Sequence, residues 1–126
     1  MDEGMDERPM VLVIDDEPAI LRIVTLALAD TGVAVVTAND GESATAFLET
    51  HKPDMIIADV RLPGIDGVEI ARRVKENPAL SSIPVLLMSA YDEPRGHPAN
   101  AFLPKPFDID QFSERVTEFL NGSASG

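Results

Sequence analysis

The chain has no cysteine, which removes disulfides, thiolate zinc sites and cysteine nucleophiles together and suits a reducing compartment, so the expected location is the cytoplasm. Basic residues are scarce: Lys and Arg number 10 against 22 Asp and Glu, a formal charge of −12. Such a surface repels phosphate backbones and forgoes the counterion release that drives nucleic-acid binding, so no direct contact with DNA or RNA is expected. No apolar run approaches the ~18 residues of a membrane span, and residues 1–9 are acidic, without the basic flank and apolar stretch of a secretory signal. They read as a flexible acidic N-terminus, and no membrane association is expected. A glycine-rich phosphate loop of the nucleotide-binding type is also missing, which argues against a nucleotidase or kinase.

What remains is enough for one domain. A chain of 126 residues, 44% hydrophobic and 25% charged, can bury a continuous core without metal or disulfide staples. The domain is read over residues 10–120, and the small polar residues 121–126 as a disordered tail or the start of a linker.

Apolar runs rich in β-branched residues alternate with amphipathic stretches, the pattern of βαβ units carrying a parallel sheet. Strands are predicted at residues 10–15, 33–38, 55–59, 83–89 and 101–103. The first, third and fourth are apolar nearly throughout, as strands covered on both faces are. Helices are predicted at residues 18–30, 42–50, 68–76 and 110–120 from apolar residues at helical spacing. Asp16 precedes Pro18 as an N-cap would, and Gly32 follows as a stop. Residues 90–100 break the alternation, since Pro94, Gly96 and Pro98 leave no room for a stable helix. A loop is predicted there. Gly64 and Gly67 read as turn residues, and His51 and His97 lack a second ligand at useful spacing.

In an open parallel sheet the functional crevice lies at the carboxyl ends of the strands. Here the first strand finishes in Asp15-Asp16-Glu17, the third in Asp59 and the fourth in Ser89, and the fifth leads into Lys105-Pro106. Three carboxylates on one rim repel one another unless a cation intervenes, and Mg²⁺ fits best, because it takes oxygen ligands, keeps several waters and uses one or two carboxylates beside phosphate oxygens. Asp16 and Asp59 would bind it directly and Asp15 through water, while a backbone carbonyl just after Asp59 supplies another ligand. With Mg²⁺ and the Lys105 ammonium drawing charge from a phosphoryl group, the Asp59 carboxylate can attack phosphorus.

The order Asp15-Asp16, Asp59 within DVRLPGIDG, Ser89-Ala90 and Lys105-Pro106-Phe107 resembles the receiver domains of bacterial two-component response regulators, over roughly residues 10–120. The resemblance implies a doubly wound α/β fold, a five-stranded parallel sheet in the flavodoxin-like order 2-1-3-4-5. It implies Asp59 as phosphoacceptor, Asp15 and Asp16 as the metal pocket with the backbone carbonyl of Arg61, and Ser89 and Lys105 on the phosphoryl oxygens. Phe102 matches the aromatic switch position, and the Lys105–Pro106 bond is expected to be cis. The implied partners are a sensor histidine kinase or phosphotransfer protein upstream and an unidentified protein downstream.

The chain departs from the family in one place. Ser89 and Lys105 stand several residues closer than in other receivers, and the missing residues fall where the family's fourth helix belongs. Without that helix the usual symmetric dimer surface is incomplete, so a monomer is expected. The alternative function is an unphosphorylated receiver-like interaction module. An aspartate-nucleophile phosphatase needs a second acid two residues beyond the nucleophile, and that position holds Arg61.

Overall fold

A computed structural model describes residues 8–125, with side chains as far as Asn121. Five strands are present, β1 (Met10–Ile14), β2 (Ala34–Ala38), β3 (Met55–Asp59), β4 (Val85–Ser89) and β5 (Ala101–Pro104). Four α-helices accompany them among the described residues: α1 (Pro18–Leu28), α2 (Gly41–Leu48), α3 (Gly67–Glu76) and α4 (Ile109–Ser125). All strand pairs are parallel and the sheet order is β2-β1-β3-β4-β5. This is the flavodoxin-like order, and it puts the carboxyl ends of β1, β3, β4 and β5 side by side.

The two-residue period of a strand explains why three strands are apolar throughout. Val11, Val13, Met55, Ile57, Leu86 and Met88 face one core, closed by Val24 and Leu28 of α1 and by Phe112 and Val116 of α4. Leu12, Ile14, Ile56, Ala58, Val85 and Leu87 face the other, closed by Ala44 of α2 and by Ile70, Ala71 and Val74 of α3. Alternate residues of one strand thus serve opposite layers.

Residues 90–100 form no helix. Asn100 ties their end to the sheet, its backbone N–H donating to the Val85 carbonyl at 2.9 Å and its side-chain oxygen accepting from the Val85 N–H at 2.8 Å. Ala99 and Phe102 pack on the α2/α3 side of the core. The segment therefore seals the sheet where a helix would otherwise lie.

Several local expectations need correction. Asp16 is not the cap of α1. The cap position is Glu17, with no side-chain cap bond, and it is the Asp15 carboxylate that accepts the Glu17 N–H at 2.9 Å. β4 starts two residues later than expected, because Pro84 has no N–H to give the ladder. Of the expected tail, residues 121–125 are helical backbone, since α4 continues to Ser125 and no proline stands in its path, and Gly126 lies outside the described residues. Gly32 does end the first helical stretch, at φ 81° after a 3-10 turn over Ala29–Thr31. His97 lies in the 90–100 loop, its side chain only 10% exposed. Its Nε2 meets Glu93 at 2.6 Å and its Nδ1 accepts from the Ala99 N–H at 3.2 Å. Residues 1–7, where most of the expected flexible N-terminus falls, lie outside the described residues.

Candidate functional site: an acidic cleft with a buried lysine

Each functional side chain enters the rim from the end of a strand. Asp15 follows β1, and its backbone N–H continues the ladder by donating to the Ala38 carbonyl at 3.1 Å. Asp59 is the last residue of β3, and the next amide, Val60, donates to the Met88 carbonyl at 2.8 Å. Lys105 follows β5, its N–H bound to the Ser89 carbonyl at 2.8 Å, and the Lys105–Pro106 peptide bond is cis. The sheet therefore fixes the backbone under all three charges.

Asp15, Asp16 and Asp59 each place a carboxylate oxygen within 4.8 Å of the others. Asp15 is 0% and Asp59 6% exposed, whereas Asp16 faces solvent. Lys105 Nζ lies 2.9 Å from Asp15, 3.4 Å from Asp59 and 3.5 Å from Glu17. One ammonium is thus shared by three carboxylates. Burial pushes the Asp59 carboxyl above its ordinary value; the Lys105 charge pulls it back, the Asp15 charge pushes it up again, and hydrogen bonds from the Arg61 amide and Lys105 only partly offset the rise. For Lys105, burial works against the charged form, but the hydrogen bond to Asp15 and the charges of Asp15, Asp59 and Glu17 outweigh it and raise the ammonium. The Lys105 cation compensates the cluster incompletely, and Asp59 carries the residual strain.

This donor set fits a hard divalent cation. Three carboxylate oxygens, two from buried residues, converge without a soft ligand, and the neighbouring cleft of about 340 Å³ has room for water and a phosphoryl group. Asp16, Glu17, Asp59, Arg61, Ala90, Tyr91 and Lys105 line that cleft.

Ser89 sits at the same rim, 1% exposed, and its hydroxyl accepts the Tyr91 N–H at 3.0 Å. Phe102 stands apart from the carboxylates, packed on the core with the His97 ring 6.5 Å away. Two features were absent from the sequence reading. Glu17 belongs to the lysine's ion-pair set, and the Arg61 guanidinium lies 4.1 Å from the centre of the Tyr91 ring across the cleft mouth. A signal existed for both residues of that pair, since Arg61 follows Asp59 by two positions and Tyr91 follows Ser89 by two.

With this geometry in hand, comparisons with known proteins are specific. The family model described as the response regulator receiver domain matches residues 11–117. The chain is 34% identical over 119 residues to the alkaline phosphatase synthesis transcriptional regulatory protein PhoP of Bacillus subtilis, covering 90% of this chain and 49% of that one. It is 36% identical over 123 residues to the probable transcriptional regulatory protein TcrX of Mycobacterium tuberculosis, covering 91% of this chain and 51% of the relative. The chain therefore spans about half the length of these relatives. Among solved structures, the signal receiver domain of a signal transduction histidine kinase from Syntrophus aciditrophicus superposes with a TM-score of 0.85 at 30% identity, over 90% of this chain and 91% of that one. The chemotaxis response regulator CheY4 of Vibrio cholerae gives 0.82 at 28% identity, over 89% and 98%.

Proposed function

The chain belongs to the response regulator receiver family, and we propose that within it Asp59 accepts a phosphoryl group from a histidine kinase or phosphotransfer protein in a Mg²⁺-dependent reaction. Receiver domains are signalling domains, and the proposed chemistry is confined to self-phosphorylation and hydrolysis. The observation that carries this reading is the position of Asp59: nearly buried, raised in pKa, and within 4.8 Å of two further acids and 3.4 Å of Lys105.

In the forward step an Asp59 oxygen attacks phosphorus, the new P–O bond replaces the P–N bond of a phosphoimidazole, and the imidazole leaves with the bonding electron pair. Asp15, Asp16, Asp59 and the Arg61 carbonyl would hold Mg²⁺, which would supply positive charge to the phosphoryl oxygens. Lys105, already turned into the cleft, adds its ammonium to the same charge. Ser89, whose hydroxyl accepts the Tyr91 N–H, takes part by turning its own O–H to donate to a phosphoryl oxygen, and that turn loosens the Tyr91 contact at the start of the 90–100 segment. Phe102, which follows that segment on β5 and packs on the core near His97, registers the change. Hydrolysis reverses the modification when water attacks the same phosphorus.

The donor docks where the cleft opens beside α1: Ile20, Ile23, Phe107 and Ile109 form an apolar groove whose wall includes Lys105, which also lines the acidic cleft. We place the exchange in the cytoplasm. No described helix is long and apolar enough to cross a membrane. The output partner is a protein, and the receiver itself acts as a monomer that does not touch nucleic acid. An unphosphorylated interaction module would have no need of a buried Asp59 paired with Lys105.

Intact-mass spectrometry after incubation with Mg²⁺ and acetyl phosphate tests the assignment. Wild type gains one phosphoryl group and Asp59→Asn gains none; equal incorporation by both refutes it.

A further inference from the structure

The loop between β3 and α3 carries the backbone that follows Asp59, and both of its ends rest on glycines. At the start of α2, a Cβ added to Gly41 would stand 2.0 Å from the Ile65 carbonyl oxygen and 2.7 Å from the Ile65 Cβ. At the start of α3, a Cβ on Gly67 would stand 2.3 Å from the carbonyl oxygen of Asp59 itself. Only a residue without a side chain permits either approach.

Both glycines occupy the first position of a helix whose cap is an aspartate. Asp40 accepts the Ser43 N–H at 2.7 Å and Asp66 accepts the Glu69 N–H at 2.9 Å, so each contact surface is a fixed first turn. The Gly67 N–H also donates to the Val60 carbonyl at 3.1 Å. Between the two contacts Gly64 has φ +72°, with the Glu42 carboxylate against it. The loop so held shares a hollow of about 410 Å³ with Asp16, lined by Val60, Arg61, Leu62, Pro63 and Asp66.

We propose that Gly41, on α2 and outside the acidic cleft, is a positioning residue for the cation site: together with Gly67 it clamps the loop after Asp59 in register with Asp15 and Asp16. The sequence motif Asp-Gly occurs at both contacts, and its purpose at each is close approach rather than turn geometry alone. A methyl group at Gly41 must displace the Ile65 carbonyl, and the displacement passes along the loop towards the backbone oxygen that joins the carboxylates around the ion. Groups that orient metal ligands without touching the metal typically cost 10–100-fold in affinity when altered, roughly the effect expected here.

This inference rests on the reading of Asp15, Asp16 and Asp59 as a Mg²⁺ site. The experiment is calorimetric titration of Mg²⁺ alone into wild type, Gly41→Ala, Gly64→Ala and Gly32→Ala, well below their melting temperatures. Gly32 has φ +81° and open space around its Cβ position, so its alanine variant is strained yet remote from the loop. Gly32→Ala therefore controls for stability loss: it melts earlier and keeps the wild-type Kd. Gly41→Ala binds Mg²⁺ about 10–100-fold more weakly. A folded Gly41→Ala with the wild-type Kd overturns the proposal. Should that variant fail to fold, Gly64→Ala decides, because it strains the same loop where the nearest neighbour is a movable carboxylate, that of Glu42. Weaker binding by Gly64→Ala supports the clamp and an unchanged Kd overturns it. Absence of Mg²⁺ binding by wild type would instead remove the cation site, and this inference with it.

Discussion

Along β3, Met55, Ile56, Ile57 and Ala58 are fully buried among hydrocarbon, while the next residue, Asp59, is nearly as buried among charges. Equal burial has opposite consequences at the two levels. The floor gains from every methylene removed from water, at roughly 25 cal/mol per Å². The rim loses hydration of its carboxylates and recovers only what Lys105 returns, so it is held in place by the floor rather than contributing to it. Stability therefore resides below the rim, and the proposed chemistry in it.

The largest effect expected is at the floor. Phe112 is fully buried under β1 and β3, and Phe112→Ala should cost about 3–5 kcal/mol in urea melts. The loss should be nearly independent of pH and of Mg²⁺. A strong pH dependence of that loss would show that floor and rim are coupled.

Lys105→Ala comes next, at about 3 kcal/mol near neutral pH, because Asp15 and Asp59 are left buried without their cation. Here the sign with pH is diagnostic. As pH falls through the raised range of Asp59 that carboxylate takes up a proton, its repulsion with Asp15 ends, and the variant should approach wild-type stability. A cost that persists in acid would mean that Lys105 acts by packing its stem and not by its charge.

Wild type without metal should carry a smaller signature of the same kind. The folded-state pKa of Asp59 is raised above its ordinary 3.8, so between the two values the folded protein binds more protons than the unfolded chain. Its contribution to stability is present below that window and declines as pH rises through it. Asp59→Asn should abolish this component and raise the metal-free stability at neutral pH by on the order of 1 kcal/mol. Differential scanning calorimetry across pH measures both, and an unaltered pH profile in the variant would contradict the assignment of strain to Asp59.

Asp16→Asn should give the smallest change. Asp16 is exposed, so the variant's metal-free stability should rise only slightly, within about 0.5 kcal/mol. Its Mg²⁺ response should nevertheless shrink, since ligand stabilisation follows RT ln(1 + [L]/Kd) and Kd rises when a ligand oxygen is lost. A melting point below wild type without metal, or a full Mg²⁺ response, counts against direct ligation by Asp16.

Much of this architecture was legible in the residues themselves, because the evidence for it is local. Unbroken apolar runs marked β3 and β4 as strands buried on both faces, and helical spacing marked α1 and α3. Pro94, Gly96 and Pro98 excluded a helix from residues 90–100 by backbone chemistry alone. Placing Asp15, Asp59, Ser89 and Lys105 at the ends of strands was enough to assign them to one rim, given a parallel sheet. Tertiary structure decided how those groups meet. The sharing of one ammonium by Asp15, Asp59 and Glu17, the approach of Arg61 to Tyr91, and the partial burial of His97 beside Glu93 and Phe102 depend on loops from different strands folding over the same edge. The cap of α1 passed to Glu17 because Asp15, fixed by the β1 ladder, already reached its N–H. Gly67 read as a turn residue and Gly41 carried no reading at all, until α2 and α3 were seen against the loop after Asp59. Local propensity records what a segment can become, whereas a contact between segments distant in the chain depends on the packing of the sheet and helices between them.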